Sequence, residues 1–444
     1  MEFPPFIAVL GKLSGWLFDY SLVGTRLFSS LAGCLILVLC FQMAKSLSGK
    51  TFAILLAGIS CLSFWPFYRN HTLFQPVAFD QLFWTLGFYY LIRFVNTKQG
   101  KYLLFTGLVL GLGLQTKYTI LVWALAVFVG LIFYEKGRLF KNRWLYLAGL
   151  LALLLFLPNL LWQYENNFPL IRHLQALGAQ EGSSPDFGIA QLGYPLTLVV
   201  GLLGVYFLNK QGKYRFLGIA SIIIFSTMWM LGAKPYYLFS LYPLLFAAGA
   251  VQIEALLLGK HMAWRILIGA LLLGLALPQI PDMTPVLPIE TYTKYAGLEE
   301  EAGRVELTGD YADMFGWEEQ VKLVDSIYQS LSPAERSQCV IWAENYGEAG
   351  ALQILGKAYG LPQPISRHGS FWLWGYDNPD ATVWISLGNE QPAVEYAFEE
   401  TELVKVIYHK YAIGEENGIP VYICRRPQVD IPQWWADFEP YVFD

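Results

Sequence analysis

Charge is the scarcest property of this chain. Asp, Glu, Lys and Arg together supply 15% of its 444 residues, against 55% hydrophobic residues and a mean hydropathy of +0.40. Such a balance excludes a soluble globular chain and points to an integral membrane protein. Basic patches are missing as well, so the chain carries no footprint for a nucleic acid. Cysteine is sparse: Cys34, Cys40 and Cys61 lie in apolar runs as small core residues, while Cys339 and Cys424 fall in the C-terminal region. With no metal-ligand spacing among them, a Cys339–Cys424 disulfide is left open. No P-loop or GxSxG occurs in the C-terminal region, so recognition is expected there ahead of chemistry. No internal repeat is visible. The first 19 residues hold no signal peptide, because a basic n-region is lacking and Pro4-Pro5 interrupts the short apolar run.

What the chain has is apolar length. A span needs about 17 to 25 mostly apolar residues to cross the hydrocarbon core. Ten runs read as spans, several of them short: 27–44, 51–67, 79–94, 102–115, 118–134, 144–162, 189–208, 216–231, 237–256 and 264–280. Residues Phe6–Phe18 are too few to span and read as an interfacial helix. The odd-numbered loops between spans hold fourteen Lys and Arg, and the even-numbered loops hold one each: Arg69, Lys117, Arg172 and Lys234. By the positive-inside rule the even loops and both chain ends face out of the cytoplasm. An external N-terminus without a leader leads to the expectation that the natural reading frame begins upstream with another span.

Each external loop sends chemistry to that side. Residues 68–84, YRNHTLFQPVAFDQLFW, deliver Asp80 to the start of a helix beside Arg69 and His71. Asp80 by itself is also accounted for as a first-turn acid favoured by the helix dipole. Residues 102–134 carry Lys117 as their only charge and would make one helix of about 50 Å, so they fold back at Gln115 to Tyr118. The sixth loop and the helix before it hold Asn159, Gln163, Asn166, Asn167, Arg172 and His173; the eighth, GAKPYY, holds Lys234, Tyr236 and Tyr237. Singly these are snorkelling, capping and belt residues. Together they make a polar cavity at the outer leaflet, where Lys or Arg pairs with a phosphate and Tyr hydroxyls donate to it. A carboxylate there deprotonates an acceptor hydroxyl or holds a divalent metal. Past Pro278 a proline-rich linker leads to a charged region with helical spacing at 315–331 and 348–359, and strands at Cys339–Ala343, 382–387, 404–408 and 421–424.

PPFIAVLGKL, FDQLFWTLGFYYLIR, GLGLQTKYT, FLPNLLWQYENNFPLIRHLQ and GAKPYYLFSLYPLLFAAGA resemble the bacterial family 39 glycosyltransferases of the protein-mannosyltransferase and aminoarabinose-transferase type. YADMFGWEEQV, ENYGEAGAL and SFWLWG are similar to the extracytoplasmic domain attached to many of them. The resemblance implies a mainly α fold: a polytopic GT-C bundle of about ten spans over 1–284, and an extracytoplasmic α/β domain over 285–444. It implies a bacterial inner-membrane enzyme that passes a sugar, with inversion, from a polyprenyl-phosphate donor to a lipid, glycan or protein acceptor. Asp80 and Glu2 match its acids, with Glu2 the candidate for a divalent metal. Lys117, Lys234, Tyr236, Tyr237 and Arg69 are candidates for the donor phosphate, and His71, Asn159, Gln163 and His173 for the sugar or acceptor. The family's first span and the acid of its first external loop, taken in the family as the catalytic base, would precede Met1, and the resemblance leaves open whether a chain lacking them is active. A transporter or flippase of lipid-linked sugars is the competing reading, and a membrane scaffold the third. Transporters carry repeats and midplane charges that this sequence lacks.

Overall fold

The computed structural model describes residues 4–171, 185–376 and 378–439, and contacts divide them into two units, one over 4–286 and one over 287–439. The first is helical. Its elements are α1 (Phe6–Phe18), α2 (Leu22–Ser46), α3 (Thr51–Ser63), α4 (Pro66–Thr72), α5 (Pro76–Thr97), α6 (Lys101–Leu114) and α7 (Ile120–Ile132). There follow α8 (Arg143–Glu165), α9 (Pro185–Leu192), α10 (Pro195–Lys210), α11 (Arg215–Met230), α12 (Tyr242–Leu256) and α13 (Met262–Ala276). Every expected span contains a helix, with two corrections. Residues 51–67 are not one rod: α3 and α4 meet at 72°, because Pro66 opens α4 and bars the chain before it from continuing α3. Among the described residues, only α2, α8 and the stretch Met262–Met283 are long and apolar enough to cross a membrane on their own, and α3 with α4 makes a fourth if counted as one span. The remainder fall short in helix length or, like α5 with Asp80 and Arg93, interrupt their apolar face with polar groups. The chain folds back between α6 and α7 where expected, as the Lys117 amide donates to the Gly113 carbonyl at 2.9 Å.

Small residues set the helix spacing. A Cβ on Gly204 of α10 would lie 2.2 Å from the Leu245 carbonyl oxygen of α12, and one on Gly249 would lie 2.0 Å from that of Val200. The same close approach recurs at Gly107 of α6 against Ala148 of α8. Helix α12 is thereby encased, with Tyr242 through Glu254 all buried. At its far end Glu254 reaches the start of α3, where its carboxylate accepts from the Lys50 and Ala53 amides at 2.8 and 3.1 Å. Those are helix N-terminal donors without an intrahelical partner, and α3 has no side-chain cap of its own. Glu254→Ala is therefore expected to cost about 1–2 kcal/mol, read as a lower melting temperature in detergent. Cys40 and Cys61 are buried as expected, whereas Cys34 is exposed on the outside of α2.

The second unit is α/β. A five-stranded sheet runs in the order β4-β3-β5-β7-β6, with β1 (Glu300–Glu301) and β2 (Arg304–Val305) as a separate hairpin. The strands are β3 (Cys339–Ala343), β4 (Ile365–Ser366), β5 (Val383–Leu387), β6 (Phe398–Ile407) and β7 (Ile419–Pro427). β3 pairs in parallel with β4 and β5, and β7 runs antiparallel to β5 and β6. The helix α14 (Trp317–Ser330) lies within the expected segment 315–331, and α15 (Tyr346–Leu355) overlaps the expected 348–359, starting two residues early and passing to a 3-10 turn after Leu355. Both C-terminal cysteines are free thiols. The disulfide left open by the sequence is excluded because β5 lies between β3 and β7, holding the two backbones about 10 Å apart, beyond disulfide reach.

Burial pushes the carboxyls of Glu348, Glu416 and Asp313 above their ordinary range, and the charge of Glu416 adds to the effect on Glu348. A carboxyl whose folded value exceeds its unfolded one stabilises the fold below the unfolded value, and that contribution is lost as pH rises through the folded value. This unit is thus expected to melt higher at about pH 5 than at about pH 8. Glu348→Gln should flatten the difference in a thermal-melt series.

Candidate active site

Asp80 lies one turn inside α5, which starts at Pro76, and so it is not the first-turn acid expected. A buried carboxylate needs partners. Its Oδ1 accepts from the Trp84 indole at 3.1 Å, an i,i+4 contact along α5, and its Oδ2 accepts from the Ser240 hydroxyl at 3.1 Å. Ser240 ends a 3-10 turn, Pro235–Ser240, which links α11 to α12. The next residue on α5 grips the same turn, for Gln81 Nε2 donates to the Phe239 carbonyl at 2.9 Å. Two consecutive side chains of α5 thus hold two consecutive residues of the turn.

That turn carries Tyr236 and Tyr237. Lys117, buried between α6 and α7, has its Nζ 3.9 Å from the centre of the Tyr237 ring and 4.8 Å from that of Tyr236. The two rings meet edge to face at 4.7 Å. Asp80 and Lys117 act on each other through charge, and the charge of Lys234 acts on Lys117. One buried carboxylate, two ammonium groups and two phenol rings therefore gather from three stretches of chain. An ammonium among rings and carboxylate is desolvated and poised for an anion.

The remaining candidates are distributed around this group. His71 bonds to Gln81 Oε1 at 3.0 Å and packs on Phe67, so it braces the α5 contact. The charge of Arg69 falls on Tyr194. Asn159 and Gln163, one turn apart on α8, both engage the Tyr118 hydroxyl, at 2.7 and 3.2 Å. They reach the site only through the neighbour of Lys117. Glu2 and His173 lie outside the described residues. Among the described residues no three metal-ligating side chains gather, and at Asp80 the neighbouring cation is Lys117. Sequence reasoning overlooked Trp84, Gln81 and Ser240; the i,i+4 spacing from Asp80 could have found Trp84.

Residues 2–162 match the family model of dolichyl-phosphate-mannose-protein mannosyltransferase. No curated protein matches the sequence. The fold is similar to that of ArnT from Cupriavidus metallidurans bound to undecaprenyl phosphate, with a TM-score of 0.59 at 14% identity, over 95% of this chain and 88% of that one. The apo form of the same protein gives a TM-score of 0.58 at 13% identity, over 95% and 87%. The family match covers α1 through most of α8, including Asp80 and Lys117, and the fold match extends over both units. With apolar helices around a polar centre, the chain has a mainly helical, GT-C-like membrane fold with a small C-terminal sheet, and its first 162 residues are similar to the mannosyltransferase family.

Proposed function

We propose that this protein moves a sugar from a polyprenyl-phosphate donor to an acceptor on the outer side of the bacterial inner membrane. The observation that carries the reading is the Lys117 ammonium, buried against Tyr236 and Tyr237 within charge range of both Asp80 and Lys234. Lys117 and Lys234 neutralise the donor phosphate, and the two tyrosine hydroxyls donate to its oxygens. Asp80, held by Trp84 and Ser240 and acted on by the Thr119 hydroxyl, is the carboxylate that takes the acceptor hydroxyl's proton as the sugar transfers with inversion. The similar fold of a protein seen with undecaprenyl phosphate supports a polyprenyl carrier. The distribution of Lys and Arg between loops supports an outward-facing site and an extracytoplasmic C-terminal unit.

The test is turnover by the purified protein in lipid nanodiscs, given labelled polyprenyl-phosphate sugars and an envelope extract as acceptor. Release of polyprenyl phosphate is expected, with Lys117→Gln raising KM for the donor at least about tenfold, the worth of one charge-assisted contact. Passage of intact donor across proteoliposomes without cleavage would establish the flippase reading instead.

A further inference from the structure

The C-terminal α/β unit contains a cleft of about 860 Å³ that the transferase reading does not use. It opens where β3 and β4, two adjacent parallel strands, end. The residues immediately after β3 (Glu344, Asn345, Tyr346) and after β4 (Arg367, His368) line it. The crevice outside the carboxyl ends of parallel strands is where open α/β sheets hold ligands.

Its lining has two components. One is aromatic: Tyr346 is 63% exposed, and its ring meets that of His368 at 4.7 Å. Trp317, at the start of α14, faces the same cleft, its indole held by a bond to the Asp313 carbonyl. The other is planar and polar. Glu344 pairs with Arg367 at 2.9 Å, and Glu416 is buried and held by Gln320 and Asn345, each at 3.0 Å.

An anionic ligand does not fit. Asp313, Glu344, Glu415 and Glu416 all line the cleft, and its one arginine is already paired. The α15 N-terminus beside it is closed by its own capping box, with Asn345 Oδ1 accepting from Gly347 and Glu348 and the Glu348 carboxylate accepting from Glu344 and Asn345. No helix donors are left there for a phosphate. The exposed Tyr346 ring and the half-buried Trp317 ring, set beside carboxylate, amide and guanidinium groups in fixed planes, suit a ligand with apolar C–H faces and equatorial hydroxyl rims. We propose that this cleft binds a phosphate-free saccharide, its ring stacked on Tyr346 or Trp317 and its hydroxyls held by Glu344, Asn345 and Arg367. The inference rests on the cleft alone and stands whether or not the helical unit transfers a sugar.

The test uses the full-length protein in nanodiscs, titrated with neutral tetrasaccharides of gluco, manno and galacto configuration, and with tetralysine, by calorimetry and saturation-transfer NMR. At least one saccharide is expected to bind saturably. Tyr346→Ala, at an exposed position, and Trp317→Ala should each weaken it about fivefold, the worth of one aromatic contact. Release of polyprenyl phosphate by Tyr346→Ala protein reports separately on the helical site and is expected to be unchanged. Absence of saturable binding by any saccharide, binding indifferent to both ring variants, or tetralysine binding more tightly than every saccharide would each overturn the assignment.

Discussion

Asp80→Asn is expected to lower sugar transfer by about 10³-fold, within the 10²–10⁴ range that a positioned proton acceptor contributes. The substitution keeps shape: an amide oxygen still accepts from Trp84, and the amide nitrogen can donate to Ser240, so the Pro235–Ser240 turn keeps its hold on α5. What is lost is the charge that accepts a proton and balances Lys117. Two variants separate chemistry from positioning. Trp84→Phe and Ser240→Ala leave the carboxylate charged and remove one bond each, and both are expected to cost about tenfold, the size of one charge-assisted bond. The measurement is release of polyprenyl phosphate per enzyme, alongside thermal melting to confirm intact folding. If Asp80→Asn retains more than about a tenth of wild-type turnover, the carboxylate merely braces the turn, and the catalytic role assigned to it fails.

The second large effect lies away from the chemistry, where α10 crosses α12. Gly249→Ala would place a methyl 2.0 Å from the Val200 carbonyl oxygen, and Gly204→Ala one at 2.2 Å from that of Leu245. Both obstacles are backbone atoms in helices, so no rotamer change relieves the clash and the helices must separate. Each substitution is expected to destabilise the protein by about 3 kcal/mol, at the upper end of overpacking costs. The double variant should cost less than the sum, since a crossing already opened by one methyl accommodates the other. Gly201→Ala on the same helix is the control. Its Cβ would meet Tyr242 at 3.6 Å, an ordinary contact, and the gain in helix propensity should leave stability unchanged or slightly raised. Thermal melting in detergent decides the matter; equal losses at positions 201 and 249 would mean that the close crossing is not what limits packing. Because α12 continues the turn that carries Tyr236, Tyr237 and Ser240, the Gly249 variant should also weaken donor binding.

How much of this was legible from the chain depends on the range over which each feature is encoded. The α6–α7 turn was readable because 33 residues with a single lysine make too long a rod for a bilayer. The strand at Cys339–Ala343 was carried by neighbouring residues. Local pattern misjudged the run 51–67, where the apolar signal continues through a proline break, and it placed Asp80 a turn too early, because Pro76 starts the helix before the apolar run does. The candidate disulfide failed for a related reason: two cysteines in strand-like segments say nothing of what lies between them in the sheet.

Sequence alone determined that the chain is a membrane bundle with an α/β appendage, and which side chains are polar enough to need a partner there, because hydropathy and periodicity act on adjacent residues. Only the tertiary structure decided who those partners are. Asp80 meets Ser240 across 160 residues and Gln81 meets Phe239 across 158, while Gly204 and Gly249 matter solely because two backbones touch there. Contacts at such separations depend on helix pairing, and the cost of leaving a carboxylate unsatisfied in a buried site selects the pairing that supplies its hydrogen bonds.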